Sequence, residues 1–122
     1  MRQFQVTDLA EMNGWLRERG QSEYSVEALS AFGLFVPGVA VGFLYATDSS
    51  ICLLEGYVTN PRAEADDRHQ ALEAITTGLI TKAKERGSQH VVALVRSFDI
   101  TQRARAHGFN RVPEQVWTKD LR

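Results

Sequence analysis

Polar and apolar residues alternate over residues 3–6, as in a short strand, and Thr7 and Asp8 then offer N-cap chemistry ahead of Leu9, Met12, Trp15 and Leu16 at helical spacing. The first unit is expected to be strand then helix. It ends at Gly20 behind Arg17, Glu18 and Arg19, where the arginines complement the helix dipole. Three apolar segments follow, residues 29–36, 39–46 and 51–58, broken by Pro37-Gly38 and by Asp48-Ser49-Ser50. Breaks that short predict an antiparallel meander. In its second strand Val39, Val41, Phe43 and Tyr45 fall on one face and Ala40, Gly42, Leu44 and Ala46 on the other. The small residues of that second face would admit a helix at close range.

Asn60-Pro61 closes the third strand. Apolar positions then recur at Leu72, Ile75, Leu79 and Ala83, which predicts a long helix ending at Gly87 behind Lys82, Lys84 and Arg86. His90 opens an apolar run through Val95, read as a central strand covered on both faces and parallel to the strand before the helix. The result is a right-handed strand-helix-strand crossover. Asp99 is placed to cap a shorter helix over residues 100–106, stopped by Gly108, and Phe109 then opens a further strand. Residues 115–121 alternate as a final edge strand. No repeat or linker interrupts the pattern, so residues 1–122 are expected to form a single domain around one core.

Composition narrows the function classes. Hydrophobic residues make up 43% and charged residues 24%, which is globular rather than disordered. The net charge is −1, with 14 basic and 15 acidic side chains mixed along the chain, so no broad positive field is available and no nucleic-acid partner is expected. Cys52 is the only cysteine; within Ile51-Cys52-Leu53-Leu54 it reads as a buried small hydrophobe, and no intramolecular disulfide can form. The N-terminus has no apolar signal region and no stretch approaches the roughly 20 residues that cross a bilayer, so a cytoplasmic protein without a membrane partner is expected. His69, His90 and His107 fall on separate elements without zinc spacing, and the carboxylates form no calcium loop, so no metal is expected.

The order strand, helix, three-strand meander, long helix, strand, short helix, strand, strand resembles the GNAT N-acetyltransferase fold over almost the whole chain, with the second N-terminal helix shortened or missing. Glu55-Gly56-Tyr57-Val58-Thr59-Asn60-Pro61 resembles the family's fourth strand and its exit, and Arg105-Ala106-His107-Gly108-Phe109 resembles its C-terminal helix ending in Gly-Phe. The chain is especially similar to compact GNAT-like proteins encoded by bacteriophages, in which Asn-Pro after the fourth strand precedes an arginine-containing, alanine-rich helix. The resemblance implies an α/β (α+β) fold: a mixed, mainly antiparallel twisted sheet of six to seven strands flanked by about three helices. It also implies acetyl-CoA as co-substrate. In the family the fourth and fifth strands splay apart around the pantetheine arm, which would meet backbone groups of Val58 and Thr59, and the pyrophosphate meets the start of the long helix.

The pattern is broken at that start. The family's loop carries glycines that let backbone amides approach phosphate, but no glycine occurs here between Pro61 and Thr77. Asp67 and His69 stand where glycines usually sit. Asp66 and Asp67 favour the helix dipole yet would repel a pyrophosphate. Arg62 and Arg68 would offset that repulsion, and His69 or Gln70 would add hydrogen bonds. The stretch therefore reads either as a phosphate site contributed by Asp67, Arg68, His69 and Gln70 or as an ordinary capped, solvated helix start.

For the chemistry, the resemblance implies a carboxylate on the fourth strand as general base, and Glu55 matches; its other reading is a strand carboxylate facing solvent or pairing with a basic neighbour. The tyrosine that many relatives use to protonate the leaving thiolate corresponds to Ala104, and the asparagine after the fifth strand to Ser97 or Phe98. His107 is a substitute acid in principle or simply a favourable charge at a helix end, so no acid is assigned. Tyr57 and Trp117 are either cleft or core aromatics. The implied function is an acetyl-CoA-dependent N-acetyltransferase acting by direct attack of a primary amine, whether small molecule or peptide. The departures leave open a catalytically inactive GNAT-fold binding or structural module, for example a phage accessory protein. An exposed terminal strand makes a homodimer compatible with either reading.

Overall fold

The computed structural model describes residues 1–95 and 98–122. Its elements run β1 (Arg2–Gln3), α1 (Leu9–Glu18), β2 (Phe32–Val36), β3 (Ala40–Ala46), β4 (Ile51–Thr59), α2 (Ala65–Glu85), β5 (His90–Ala93) and α3 (Phe98–Ala106), with short 3-10 turns at Val6–Asp8 and Val26–Ala28. The strands form one sheet in the order β1-β2-β3-β4-β5, antiparallel except that β4 and β5 run parallel across α2. The expected meander is present, and β4, α2 and β5 form the expected strand-helix-strand connection between parallel neighbours.

The sheet has a core on each face. On one, Ala40, Leu44, Cys52 and Leu54 pack against Ala71, Ile75, Leu79 and Ala83 of α2; on the other, Phe35, Val41, Phe43 and Val58 pack against Met12, Trp15 and Leu16 of α1. The small face of β3 does admit α2 closely, since a Cβ on Gly42 would lie 2.8 Å from Ile75 Cγ2. Cys52 is buried and free, its Sγ 2.7 Å from Ser88 Oγ. No described helix is long and apolar enough to cross a membrane.

Four expectations need correction. First, the sheet has five strands among the described residues, not six to seven, while the three helices match. Phe109 opens no strand: its amide donates to Ala104 O (3.0 Å) and its ring packs against the α2-side core, completing a Schellman closure of α3. Residues 110–122 that follow are all exposed and form no ladder. Val112, Val116, Trp117 and Leu121 gain no burial there to offset the entropy of fixing a strand, and Pro113 lacks the N–H that a ladder needs.

Second, among the described residues β5 is an edge strand rather than a central one, and Val92, Leu94 and Val95 remain exposed. An uninterrupted apolar run does not by itself reveal which strands flank it. Third, Asp8 does not cap α1 with its side chain. Its carboxylate instead accepts the Gln5 N–H (2.8 Å) and a two-pronged contact from Arg2 (2.7 and 2.8 Å), so it closes the preceding turn. Fourth, β1 ends at Gln3, ahead of the expected residues 4–6. The expected cap at Asp99 and the Ser97 and Phe98 positions rest on side chains outside those described.

Candidate active site

The site begins with one extra residue. Before it, Leu54 pairs with Leu44 and Glu55 with Phe43; after it, Val58 pairs with Val41 and Thr59 with Ala40. Three steps along β4 therefore match two along β3, and Gly56 takes up the excess with φ +72°, a conformation costly to any residue with a Cβ. Because strand side chains alternate, the bulge exchanges the faces: Leu54 points to α2, whereas Val58, four residues on, points to α1.

The same region loses its other neighbour. Pairing between β4 and β5 runs from Ile51 with His90 to Leu54 with Ala93 and stops there. From Glu55 to Thr59, β4 continues without a strand partner on that side among the described residues. The Asn60 amide donates to Val39 O (2.8 Å), so by strand alternation the amide and carbonyl of Thr59 point away from β3, toward the gap. A cavity of ≈ 1000 Å³ occupies the divergence, lined by β4 from Leu54 to Thr59, by Leu94 and Val95 beyond β5, by the first turns of α2, by α3, and by the segment after α1.

Glu55 lines this cavity at the bulge. Its Oε1 accepts the Gly56 N–H at 3.1 Å, while Oε2 is buried without a hydrogen-bond partner among the described residues. An ionised oxygen left so is costly unless a ligand or water meets it. Tyr57 forms part of the floor, with its hydroxyl 2.9 Å from Thr76 Oγ1; burial raises its pKa, so it stays a neutral phenol.

Val58, Thr59, Arg68 and His69 also line the cavity, whereas Asp67 and Gln70 are exposed and lie off it. The N-cap of α2 is Glu64, and the Arg68 amide donates to Glu64 O (3.0 Å), so the amides without an intrahelical acceptor run only as far as Asp67, and Gln70 sits in the second turn beyond them. Arg68 Nη1 donates to Ala63 O (2.6 Å) and Pro61 O (3.3 Å), bracing the link from β4 to α2.

The structure also gathers residues that pattern reading left apart. Glu73 receives Arg103 Nε (3.1 Å) and contacts His107 Nε2 (2.7 Å), and Arg103 Nη2 lies 3.0 Å from His69 Nδ1, so α3 is bound to α2 along the cavity floor. His69 and His107 thus share one network. No group of three or more His, Cys, Asp or Glu among the described residues is arranged to hold a metal. Ala104 faces the cavity one turn before His107, and Trp117 lies outside it, 86% exposed. Arg19, read in the sequence as a dipole partner, reaches across to donate to Thr59 O and, at 2.8 Å, to Thr59 Oγ1. Its contact spans forty positions, and no local pattern signals it.

No protein-family profile matches the chain, and no curated protein matches it in sequence. Solved structures do match. An acetyltransferase of Trypanosoma brucei superposes with a TM-score of 0.68 at 15% identity, covering 98% of this chain and 97% of its own. An aminoglycoside N-acetyltransferase solved with CoA gives 0.62 at 17%, over 98% and 97%. The aminoglycoside antibiotic 6'-N-acetyltransferase of Acinetobacter haemolyticus gives 0.62 at 16%, over 98% and 96%. These likenesses extend over nearly the whole of both chains, and the fold of this protein is that of the GNAT acetyltransferases.

Proposed function

We propose that this protein is an acetyl-CoA-dependent N-acetyltransferase that passes an acetyl group to a primary amine by direct attack. One observation carries the reading: Glu55 Oε2, buried and without a partner among the described residues, lines a cavity opened where β4 leaves both its register with β3 and its pairing with β5. Its Oε1 accepts the Gly56 N–H, and its Oε2 is an acceptor without a donor among the described residues. An ammonium or amine, directly or through water, is the donor that fits it.

The residues present fit the co-substrate. Beyond Leu54 the edge of β4 turned away from β3 offers the backbone groups of Thr59 to an extended pantetheine arm, while those of Val58 point toward β3 and leave its side of the cavity wall to packing. Arg68 and His69, on the first turns of α2, supply cationic and hydrogen-bonding groups for phosphate. Acetyl-CoA, when bound, supplies a thioester carbonyl open to an amine. Glu55 would take the proton that the amine must lose, the thioester C–S bond would break as the C–N bond forms, and CoA would leave as a thiolate that takes its proton from solvent, while the walls of the cavity fix the approach of the two reactants.

A second reading, a GNAT-fold binding module without catalysis, is favoured by one contact: Arg19 already engages the Thr59 carbonyl that a pantetheine amide would use. Free-thiol release from acetyl-CoA, measured across a panel of small primary amines and N-terminal peptides, separates the two. The transferase reading expects turnover with some member of the panel. It expects Glu55→Gln to lower kcat by about 10²–10⁴-fold while leaving acetyl-CoA affinity within about twofold. Acetyl-CoA binding with no turnover on any amine would favour the binding module.

A further inference from the structure

Asn13 stands in the middle of α1, where asparagine is a poor helix former, and it is buried there. Its side-chain amide is spent on one residue eleven positions on: Nδ2 donates to Tyr24 O (2.9 Å), and Oδ1 accepts the Tyr24 N–H (2.9 Å). The reciprocal pair holds the segment after α1 as a strand partner would. A second tie, from Arg17 Nη1 to Glu23 Oε1 (2.8 Å), fixes the residue beside it. The segment cannot slide without leaving a buried amide unsatisfied. What the tie places is the Tyr24 side chain, which packs on the α1-side core and lines the cavity.

Tyr24 shares that lining with Glu55, and Tyr45 completes the corner. The Tyr45 hydroxyl lies 3.6 Å from where a Cβ on Gly56 would stand, beside the bulge, and it donates to Ala28 O (3.0 Å). Burial first, and then neighbouring Tyr24 and Glu55, raise the Tyr45 phenol above its ordinary pKa, so it stays neutral. Two tyrosines and an acid therefore meet at one end of the cavity. Of the two carboxylates that line it among the described residues, Glu23 is spent on Arg17, while Glu55 keeps an unmet Oε2. The guanidinium groups gather elsewhere: Arg19 at Thr59, four positions or roughly 12 Å along β4, and Arg103 between α2 and α3.

We propose that Asn13 is a positioning residue that sets Tyr24 beside Glu55 and Tyr45, and that this corner selects as acceptor a primary amine on an apolar body with no acid group beside its nitrogen. An aromatic wall and a desolvated carboxylate together attract an organic ammonium. Leu16, Leu54 and Val58 continue the lining with apolar surface for the body of the same molecule. A carboxylate one carbon from the nitrogen, as in an α-amino acid, would be forced against Glu55, and like charges that close cost about tenfold or more in affinity. Naming that amine the acetyl acceptor rests on the transferase reading; selection of the ammonium does not.

Calorimetric titration of the full chain with 2-phenylethylamine, L-phenylalanine and 2-phenylethanol, with CoA absent and then present, tests the corner, because the three probes share one body and differ in the groups at its end. Wild-type protein is expected to bind 2-phenylethylamine at least tenfold more tightly than either of the others. Tyr24→Leu should lower that affinity at least fivefold, and Tyr24→Phe should keep it within twofold. Glu55→Gln should bring 2-phenylethylamine and 2-phenylethanol within threefold of each other. Asn13→Ala should lower the preference for the amine over the alcohol at least fivefold, a ratio that general loosening of the fold would leave alone. Arg86→Gln, at the far end of α2, should change nothing. Unliganded melting curves identify a variant that fails to fold; if Asn13→Ala does, Asn13→Asp, which retains the acceptor for the Tyr24 N–H, replaces it, and the two Tyr24 variants carry the comparison.

Equal affinity of wild type for 2-phenylethylamine and L-phenylalanine, or an unchanged affinity in Tyr24→Leu, would overturn the corner, as would absence of amine binding both with and without CoA. An unchanged preference in Asn13→Ala would overturn the positioning role. Selective amine binding without thiol release from acetyl-CoA would keep the corner and remove the transferase reading. Thiol release with L-phenylalanine as readily as with 2-phenylethylamine would do the reverse.

Discussion

A methyl group on Gly42 would lie 2.8 Å from Ile75 Cγ2 and 2.9 Å from Tyr57 Cε1, so α2 sits against β3 at a distance that only a residue without a side chain permits. The contact fixes the height of the cavity floor, because Tyr57 and Thr76, bonded to each other, lie beside it. Gly42→Ala is expected to destabilise the fold by ~1–3 kcal/mol through overpacking. Ile75→Ala, which empties a fully buried position, should cost ~2–5 kcal/mol. Urea titrations of both variants check this, and an unchanged midpoint for Gly42→Ala would mean that the helix stands further off.

The Glu55 carboxylate is expected to oppose stability while serving function. Replacing it by Gln removes a charge whose Oε2 has no partner among the described residues, so Glu55→Gln should raise stability by ~0.5–2 kcal/mol as activity falls. A thermal melt beside the thiol-release assay reads both. A variant less stable than wild type would indicate that the carboxylate is satisfied, and the case for it as an acceptor awaiting substrate would fail.

Asp8 should show itself through pH. The hydrogen bonds from Arg2, aided by the Gln5 amide, hold its carboxyl below the ordinary carboxylate range against the opposing effect of burial. A folded pKa lower than the unfolded one adds stability that is fully present above the unfolded value, near 4, and disappears as pH falls through the folded value. The melting temperature of Asp8→Asn should therefore lie below wild type by a constant amount from about pH 5 to pH 7, and the gap should close below about pH 4. The half-exposed Arg2 side keeps the gap modest. A gap that persists unchanged in acid would mean that packing, not charge, is what Asp8 supplies.

Residues 111–122 are exposed throughout, so a chain ending at Asn110 should unfold within about 0.5 kcal/mol of the full-length protein. Comparison of the two urea midpoints checks the five-strand description. A large loss would show that the terminal segment pairs with something.

The sequence carried the order of elements because each announces itself locally. The meander lies between Pro37-Gly38 and Asp48-Ser49-Ser50, α2 shows Leu72, Ile75, Leu79 and Ala83 on one face, and the three helices stop at Gly20, Gly87 and Gly108. The positions of Glu55 and Val58 on β4 were legible for the same reason, while Thr59 lies one residue past the strand expected over residues 51–58. What stayed hidden depends on partners rather than pattern. The exposure of β5 reflects which strand lies beyond it, and the β4 bulge reflects a register shared with β3. The Arg19 to Thr59 contact and the network joining His69, Glu73, Arg103 and His107 link residues thirty or more positions apart. The alternation at residues 115–121 was a real local signal, but without an apolar surface to cover it forms no strand.

The most direct measurement is a melting curve of the full chain with acetyl-CoA at millimolar concentration, repeated for Arg68→Glu. If the gap between β4 and β5 takes acetyl-CoA, ligand at a hundred times its dissociation constant stabilises the fold by about 2.7 kcal/mol, a rise of several degrees, and the charge-reversed variant loses most of it. No shift in wild-type protein at that concentration would contradict the assignment of this cavity to acetyl-CoA.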